Sequence, residues 1–262
     1  MAVAITTDTA QIRQVIEPVL LADPVRHTVL GTLRTQLTDG WCAYDSLAVA
    51  ARSDPERPVV LSEKWAEVSV LADALAGLPS LAGLGGPART VDALLERLDR
   101  ELASRTVECL MRLDRLIEPT GVRGQARLAG ADDIGLIASW IEPYQREVFG
   151  VMPAGLDPHA WSAAAVEHSW TWLWLTPAGE PVSMAARRAP AAGVSRIGPV
   201  YTPPEHRAHG YASAVTARAA WDILDHAAVP VLYTDLANPT SNKIYRAIGF
   251  RPVTDRTSVT FG

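Results

Sequence analysis

The chain reads as an α/β protein of the α+β kind, and three observations carry that reading. Between Gly198 and Phe250 the order strand, turn, helix occurs twice, each helix entered through a turn rich in Pro, Gly or Asn. Upstream, residues 170–175, 182–189 and the run into Val200 are short strand-like segments joined by Pro/Gly turns, the pattern of an antiparallel meander. The first 116 residues mix helical periodicity with strand-like runs, and so add a second α/β unit ahead of it.

Taken in order, residues 8–39 are helical. Ile12, Val15, Ile16 and Val19 recur at helical spacing and Asp8 or Thr9 is the cap. Pro18 and Pro24 read as breaks, with a second helix from about residue 25 carrying Val29, Leu30, Leu33 and Leu37. Residues 41–51 read as one strand, turned at Asp54-Pro55-Glu56-Arg57-Pro58 into another at 59–61. Helices follow at 64–76 and 88–104, parted by the Gly/Pro-rich stretch 77–87, and 109–116 reads as a further strand. This half has no Gly-rich turn able to receive an anion. The stretch from Glu118 to Gly124 holds a proline, two glycines and no periodicity, which makes it the linker between a domain at 1–120 and one at 122–262.

The second domain opens with a strand at 126–129. Asp132 or Asp133 then serves the first turn of a helix carrying Ile134, Ile137, Ala138 and Ile141. The helical region continues from Tyr144 to Gly150, and a short helix starts at Leu156-Asp157-Pro158. In Trp170-Thr171-Trp172-Leu173-Trp174-Leu175 alternation puts three indoles on one face of a strand, read as core rather than pocket. A base-stacking platform would need interleaved Lys or Arg, which are absent there. Turns at 177–180 and 190–193 lead through the meander, and 253–261 supplies closing strands.

The chemistry is concentrated in the doubled strand–turn–helix. Gly198-Pro199-Val200-Tyr201-Thr202 stops at Pro203-Pro204, which cannot donate to a ladder. Arg207-Ala208-His209-Gly210-Tyr211-Ala212-Ser213 then opens a helix of small residues. Gly210 and Ala212 leave the first-turn amides uncovered and Arg207 adds a second source of positive charge, which together make a seat for a pyrophosphate-like anion. After the strand Val231-Leu232-Tyr233-Thr234-Asp235, Asn238 is an N-cap, Pro239 a first helical residue and Gly249 a stop. Ile244 and Ile248 face the core. Tyr245 lies about 100° round from Ile244, a boundary position where the ring packs and the hydroxyl reaches a ligand. Each of these residues also has a plain reading: Arg207 as a solvated turn charge, Gly210 as a helix-start glycine, Asn238 as a cap alone, Tyr245 as a boundary tyrosine. His209 reads as an exposed turn residue whose backbone amide matters and whose ring does not.

Joined together, Val-Tyr-Thr-Pro-Pro, Arg-x-x-Gly-x-Ala and Asn-Pro-Thr-Ser-Asn-Lys-Ile-Tyr-x-x-Ile-Gly-Phe resemble the GNAT superfamily of N-acetyltransferases, most closely its FR47-like branch. The resemblance implies a mixed, mostly antiparallel GNAT sheet flanked by helices, preceded by a second α/β domain. The N-terminal half resembles a degenerate GNAT-like domain in element order, with an unrelated α/β cap as the alternative. It implies acetyl-CoA as cosubstrate and no metal. Arg207, Ala208, His209, Gly210, Tyr211, Ala212 and Ser213 would hold the pyrophosphate, and Val200, Tyr201 and Thr202 the pantetheine arm. Asn238, Ser241 and Tyr245 would reach the cofactor from the last helix, with Tyr245 near the thioester sulfur as the catalytic group. Ala212 stands where many members have glycine. The implied reaction is direct transfer of an acetyl group to an amine acceptor; the alternative is a non-catalytic acyl-CoA sensor or interaction module.

Composition narrows the partners. A chain of 262 residues has room for two modest domains. A formal net charge of −5 argues against a general nucleic-acid binder, which needs a basic face. Cys42 and Cys109 have no metal-type spacing and form no disulfide framework, so a reducing cytoplasm is the expected compartment. The first residues lack a basic stretch followed by an apolar one, and no apolar run approaches about 18 residues, so neither a signal peptide nor a membrane partner is expected. A homodimer is left open. For the implied chemistry, the amide of Val200 or Tyr201 would receive the developing oxyanion and Tyr245 would protonate the departing thiolate. Glu147 and His168, and behind them Glu142 and Glu205, are the candidate bases, each equally readable as a surface residue. Neither cysteine lies near the motif, which disfavours a covalent route.

Overall fold

The computed structural model describes residues 3–150, 152 and 155–262. They form two compact units: one holds the chain up to Leu110 together with Thr254–Gly262, the other Met111–Val253. The first half runs β1 (Ala4–Thr6), α1 (Thr9–Ala22), α2 (Thr28–Thr35), β2 (Trp41–Tyr44), β3 (Val49–Arg52), β4 (Val59–Leu61), α3 (Val68–Ala76), β5 (Gly83–Pro87), α4 (Ala88–Leu95) and β6 (Leu102–Leu113). The second runs β7 (Gln125–Leu128), α5 (Ile134–Phe149), α6 (Pro158–Glu167), β8 (Thr171–Leu175), β9 (Pro181–Arg187), β10 (Val194–Tyr201), α7 (Tyr211–Asp225), β11 (Val229–Asp235), α8 (Pro239–Ile248) and β12 (Phe250–Phe261). The order strand, helix, helix, three strands, helix, strand, helix, strand therefore occurs twice.

Strand pairing is doubled as well. β1 to β4 pair as an antiparallel meander and β4 pairs parallel with β5. β7 to β10 do the same and β10 pairs parallel with β11. The sheet is mixed and mostly antiparallel, as expected. The last strand departs from expectation: instead of closing the second unit, Arg256 to Thr260 pair antiparallel with Pro87 to Gly83 of the first. Gly83 allows this approach, because a Cβ there would lie 2.1 Å from the Val259 carbonyl oxygen.

Several elements differ from the sequence reading, each for a local reason. Pro18 lies inside α1, which ends only before Pro24. Asp8 is the cap, its side chain accepting from the Gln11 amide at 2.7 Å. Residues 41–51 are a hairpin whose turn is made by Asp45, which accepts from the amides of Leu47 and Ala48. The helix expected at 88–104 stops at Leu95, β6 starts at Leu102, and Gly83–Pro87 is a strand. Trp170 lies outside β8, stacked on His168 at 4.5 Å, so only Trp172 and Trp174 share its strand face.

In the second unit α5 and α6 cover one face of the sheet, where Ile137, Trp140 and Ile141 pack with Leu173, Leu175, Met184 and Tyr201. On α7, Val215, Ala219 and Ala220 are fully buried, and Asp222 on the same helix is bonded to Arg187 of β9. Arg218 lies with its guanidinium carbon 4.1 Å from the Trp172 ring and 4.3 Å from the Trp221 ring, so Trp172 is core, as expected. The Arg187 Nε donates to the Asp222 carboxylate at 2.6 Å, and both side chains are only 11–12% exposed. Removing one member of such a pair strands the other charge in the interior, which typically costs about 3–5 kcal/mol. Asp222→Ala is therefore expected to lower the thermal and denaturant midpoints of the second unit markedly, and Asp222→Asn, which keeps an acceptor, less so. An unchanged midpoint in Asp222→Ala would show that water reaches Arg187.

Candidate functional site

The site begins where two neighbouring strands part. β10 pairs parallel with β11 from Val194↔Val229 to Ile197↔Leu232. Its pairing with β9 shifts register between Ile197 and Val200, and Gly198, at φ +148°, lies in that bulge next to Pro199, which has no N–H. Beyond it Val200 and Tyr201 remain paired to β9, opposite Ala185 and Met184. The Ser183 hydroxyl anchors the strand end, 3.1 Å from the Tyr201 carbonyl oxygen and 2.7 Å from the Thr202 hydroxyl.

From there the chain turns through Pro203 and a single turn of 3₁₀ helix (Pro204–His206) into α7. Ala208 (φ +66°) and Gly210 (φ +81°) are both left-handed. A Cβ on Gly210 would meet the Val122 side chain at 2.9 Å, so this position excludes a side chain by conformation and by space. Val122 belongs to the stretch read as a linker. That stretch is packed along the second unit: the Trp174 indole donates to the Arg123 carbonyl at 3.1 Å. α7 has no side-chain cap at its start, and its first backbone bond runs from the Ala214 amide to the Gly210 carbonyl. The amides of Tyr211, Ala212 and Ser213 precede that bond, at the positive end of a 15-residue helix. The His209 ring does more than expected: its Nδ1 lies 2.7 Å from the Arg207 carbonyl and its face stacks on Tyr211 at 5.4 Å, so it braces the turn.

Arg207 is already engaged. Its Nε donates to the Thr202 carbonyl at 3.0 Å, and its Nη2 to both carboxylate oxygens of Glu147 at 2.9 and 2.8 Å. Its guanidinium carbon lies 6.0 Å from the Tyr201 ring centroid. Burial pushes the Tyr201 phenol pKa up, Glu147 adds to this, and Arg207 opposes it.

On the other side of the parting, α8 runs from Pro239 to Ile248, the expected ten residues. The Asn238 side-chain oxygen accepts from the Ser241 amide at 3.0 Å, and Gly249 closes the helix at φ +110°. Asn242 is buried and was not singled out by sequence reasoning. Its side-chain amide donates to the carbonyls of Asp235 and Asn238 at 2.9 and 2.8 Å, tying the end of β11 to the start of α8. The available signal was a polar residue one turn after the cap, on the side of the helix that must be buried. Tyr245 is half-buried, edge-on to Phe250 at 6.3 Å. Burial raises its phenol pKa well above the ordinary 10.0, and the Tyr144 phenol raises it further.

A second feature missed by the sequence reading is one face of α5. Trp140, Tyr144 and Glu147 stand at i, i+4 and i+7, one side of a helix. Trp140 packs on Tyr201 at 6.3 Å, the Tyr144 phenol adds to the rise in the Tyr245 pKa, and Glu147 holds Arg207. Of the candidate bases, Glu147 is thus bound to Arg207, Glu142 to Arg146, and the His168 Nδ1 lies 2.8 Å from the Ala164 carbonyl.

Residues 177–259, which hold the parted strands, the turn and both helices, match the model of the FR47-like protein family. This segment is FR47-like. No curated protein matches the chain. Solved structures share its fold along the whole length. An acetyltransferase of the GNAT family from Colwellia psychrerythraea is similar at TM-score 0.64 and 10% identity, with 100% of each chain covered. A GCN5-related N-acetyltransferase from Kribbella flavida is similar at TM-score 0.61 and 17% identity, covering 92% of this chain and 95% of that one. A tandem GNAT protein from the clavulanic acid biosynthesis pathway is similar at TM-score 0.55 and 11% identity, covering 99% and 98%. The fold is that of GNAT acetyltransferases, and most of the segment that matches the FR47-like model lies in the second unit. No helix among the described residues is long and apolar enough to cross a membrane.

A raised tyrosine pKa has a sign that can be checked. The unfolded phenol ionises first, so the stabilising contribution of Tyr245 is complete below pH 10 and is lost as pH rises through its folded value. In an ultraviolet titration Tyr245 should remain protonated after the exposed tyrosines have ionised, and the late-titrating signal should shrink in Tyr245→Phe. A phenol in Tyr245 that ionises with the exposed ones would show the hydroxyl to be solvated.

Proposed function

We propose that the second unit is an acetyl-CoA-dependent N-acetyltransferase that transfers the acetyl group directly to an amine acceptor. The observation that carries the reading is the parting of β10 from β11 just ahead of a long helix that starts, uncapped, at a left-handed glycine. The free strand edge offers a ladder to an extended arm, and the helix start offers amides to an anion. Acetyl-CoA would supply the activated acetyl thioester. Arg207 to Ser213 would hold its pyrophosphate, with Ala212 small enough at the helix start. Val200, Tyr201 and Thr202 would run along the pantetheine arm, and Asn238, Ser241 and Tyr245 would meet it from α8. Because the Asn238 oxygen is used by the cap, its side-chain NH₂ is the group left for the cosubstrate.

The chemical roles follow from the same residues. The amide of Val200 or Tyr201, at the unpaired edge, would donate to the oxygen that gains charge during transfer. Tyr245 keeps its proton at neutral pH and would give it, or a hydrogen bond, to the departing sulfur. The amine must lose a proton, and this reading assigns it to water rather than to one side chain: Glu142 and the His168 Nδ1 have partners in the structure, Glu205 is exposed, and Glu147 is paired with Arg207. Cys42 and Cys109, both buried, accord with a reducing cytoplasm as the compartment.

The first unit repeats the topology without these parts. Gly86 sits against Leu61, where an added Cβ would be 2.6 Å from the Leu61 Cβ, so β4 and β5 do not part there. The turn into α3 carries Glu63 and Glu67 and buries Trp65. Calorimetry on the full chain should therefore give one acetyl-CoA site, and two equal sites would overturn the assignment of the site to the second unit alone.

Tyr245→Phe separates an enzyme from an acyl-CoA sensor. It keeps the ring beside Phe250 and removes only the hydroxyl. If that hydroxyl acts in the transition state, kcat should fall about 10²-fold or more while acetyl-CoA affinity stays nearly unchanged. The measurement is single-turnover transfer at saturating acetyl-CoA with an acceptor found in an amine panel. A wild-type rate would remove Tyr245 from the chemistry, and tight binding with no turnover on any amine would favour the sensor.

A further inference from the structure

The cation of the anion turn has a partner of its own. Glu147, in the last turn of α5, takes both Nη2 bonds of Arg207, and each of the two side chains is 46% exposed. The remaining engaged donor, Nε, is spent on the Thr202 carbonyl. Nη2, which is common to both two-nitrogen edges of the guanidinium, is thus taken by a carboxylate from another element, 60 residues away in sequence, so a two-nitrogen grip on a phosphate has to displace it. A phosphate oxygen and a carboxylate oxygen cannot share those two N–H groups without meeting each other's charge.

We propose that Glu147 competes with the cosubstrate for Arg207, so that the ion pair must open before a phosphate-bearing ligand can bind, and Glu147 sets the affinity of the turn for such ligands. The proposal rests on the reading of Arg207 as a pyrophosphate residue. Observed affinity is the intrinsic affinity scaled by the fraction of molecules in which Arg207 is open. Both side chains are solvated, so the pair is closed only a few times more often than it is open, and its removal should tighten binding by about two- to sixfold. The factor should be the same for every ligand that uses Arg207 and absent for one that does not. Glu147 is therefore a positioning residue: it holds Arg207 at the mouth of the turn while the site is empty, and yields it on binding.

The test is calorimetry on the full-length chain with CoA and with pantetheine, which lacks phosphates. The variants are Glu147→Gln, Glu147→Ala, Arg207→Ala and the double variant Glu147→Ala/Arg207→Ala. Both Glu147 variants should bind CoA about two- to sixfold tighter, with pantetheine binding unmoved. Arg207→Ala should weaken CoA binding, and in that background Glu147→Ala should change nothing further. If Glu147→Ala does not fold, the Gln variant, which keeps the side chain's length, carries the comparison. CoA binding that is unchanged or weaker in the Glu147 variants, while Arg207→Ala still weakens it, overturns the competition and leaves the pyrophosphate reading standing. A tightening that persists without Arg207 is a general charge effect and overturns it too. If Arg207→Ala leaves CoA binding as it was, the pyrophosphate reading falls and takes this proposal with it.

Discussion

Everything in the second unit turns on how far β10 can be paired on both edges. Up to Ile197 it lies between β9 and β11. At Gly198 and Pro199 the register slips, one residue has no N–H to offer, and the parallel ladder ends while the antiparallel one continues. Buried backbone donors and acceptors have to be satisfied, so a strand edge opened in this way invites water or a ligand. The same residues therefore bend the strand, end a sheet ladder and create the place where another extended molecule could continue it. Ser183 holds the loose end by its bonds to Tyr201 and Thr202, which keeps the opening from becoming a frayed strand.

The second constraint is a helix face. Trp140 and Glu147 belong to α5, yet their partners lie on the end of β10 and in the turn before α7. One rigid element thus braces two segments that would otherwise be an independent strand end and an independent loop. Exposed ion pairs add little stability singly, about 0–1 kcal/mol, so the Glu147–Arg207 pair is better understood as a means of placing a charge than of holding the fold. The Arg187–Asp222 pair, whose two side chains are nearly enclosed, bears on stability instead, because breaking it strands a buried charge.

Legibility in the sequence followed the range of the forces involved. Helix α8 was readable to the residue, because an Asn cap, a Pro at the first helical position and a Gly in the left-handed region are local chemistry written within one segment. The turn at Gly210 was readable for the same reason. Gly83–Pro87 was not: its glycines are there because another strand's backbone lies against Gly83 and a leucine against Gly86, and in sequence such a run has the look of a loop. Pro18 looked like a break, but a helix tolerates it where packing of Ile12, Ile16 and Leu20 supplies the compensation. The partner of Arg207 was out of reach altogether. Glu147 was visible as an acidic residue on a helical stretch, but the pairing depends on where α5 comes to rest.

The destination of the final strand bears on how the two halves relate. By topology each half is complete in itself: ten elements in the same order, with the same pairings as far as its parallel strand pair. By contacts it is not, since Thr254–Gly262 belongs with the first unit and Met111–Leu113, the end of β6, with the second. A chain cut at Glu118–Gly124 would leave β5 without its antiparallel partner, and would separate Arg115 and Ile117 from the backbone around Gly249, where a Cβ would stand 1.9 Å from the Arg115 carbonyl oxygen. The Ile117 amide bonds the Ile248 carbonyl at 2.8 Å, so the last turn of the helix that carries Tyr245 is fixed by residues from the end of the first half. The end of the first half is thus tied, covalently and by a hydrogen bond, to the helix that carries Tyr245. That gives a physical reason for a second copy of the fold to persist: its residues complete pairings that the other half leaves open.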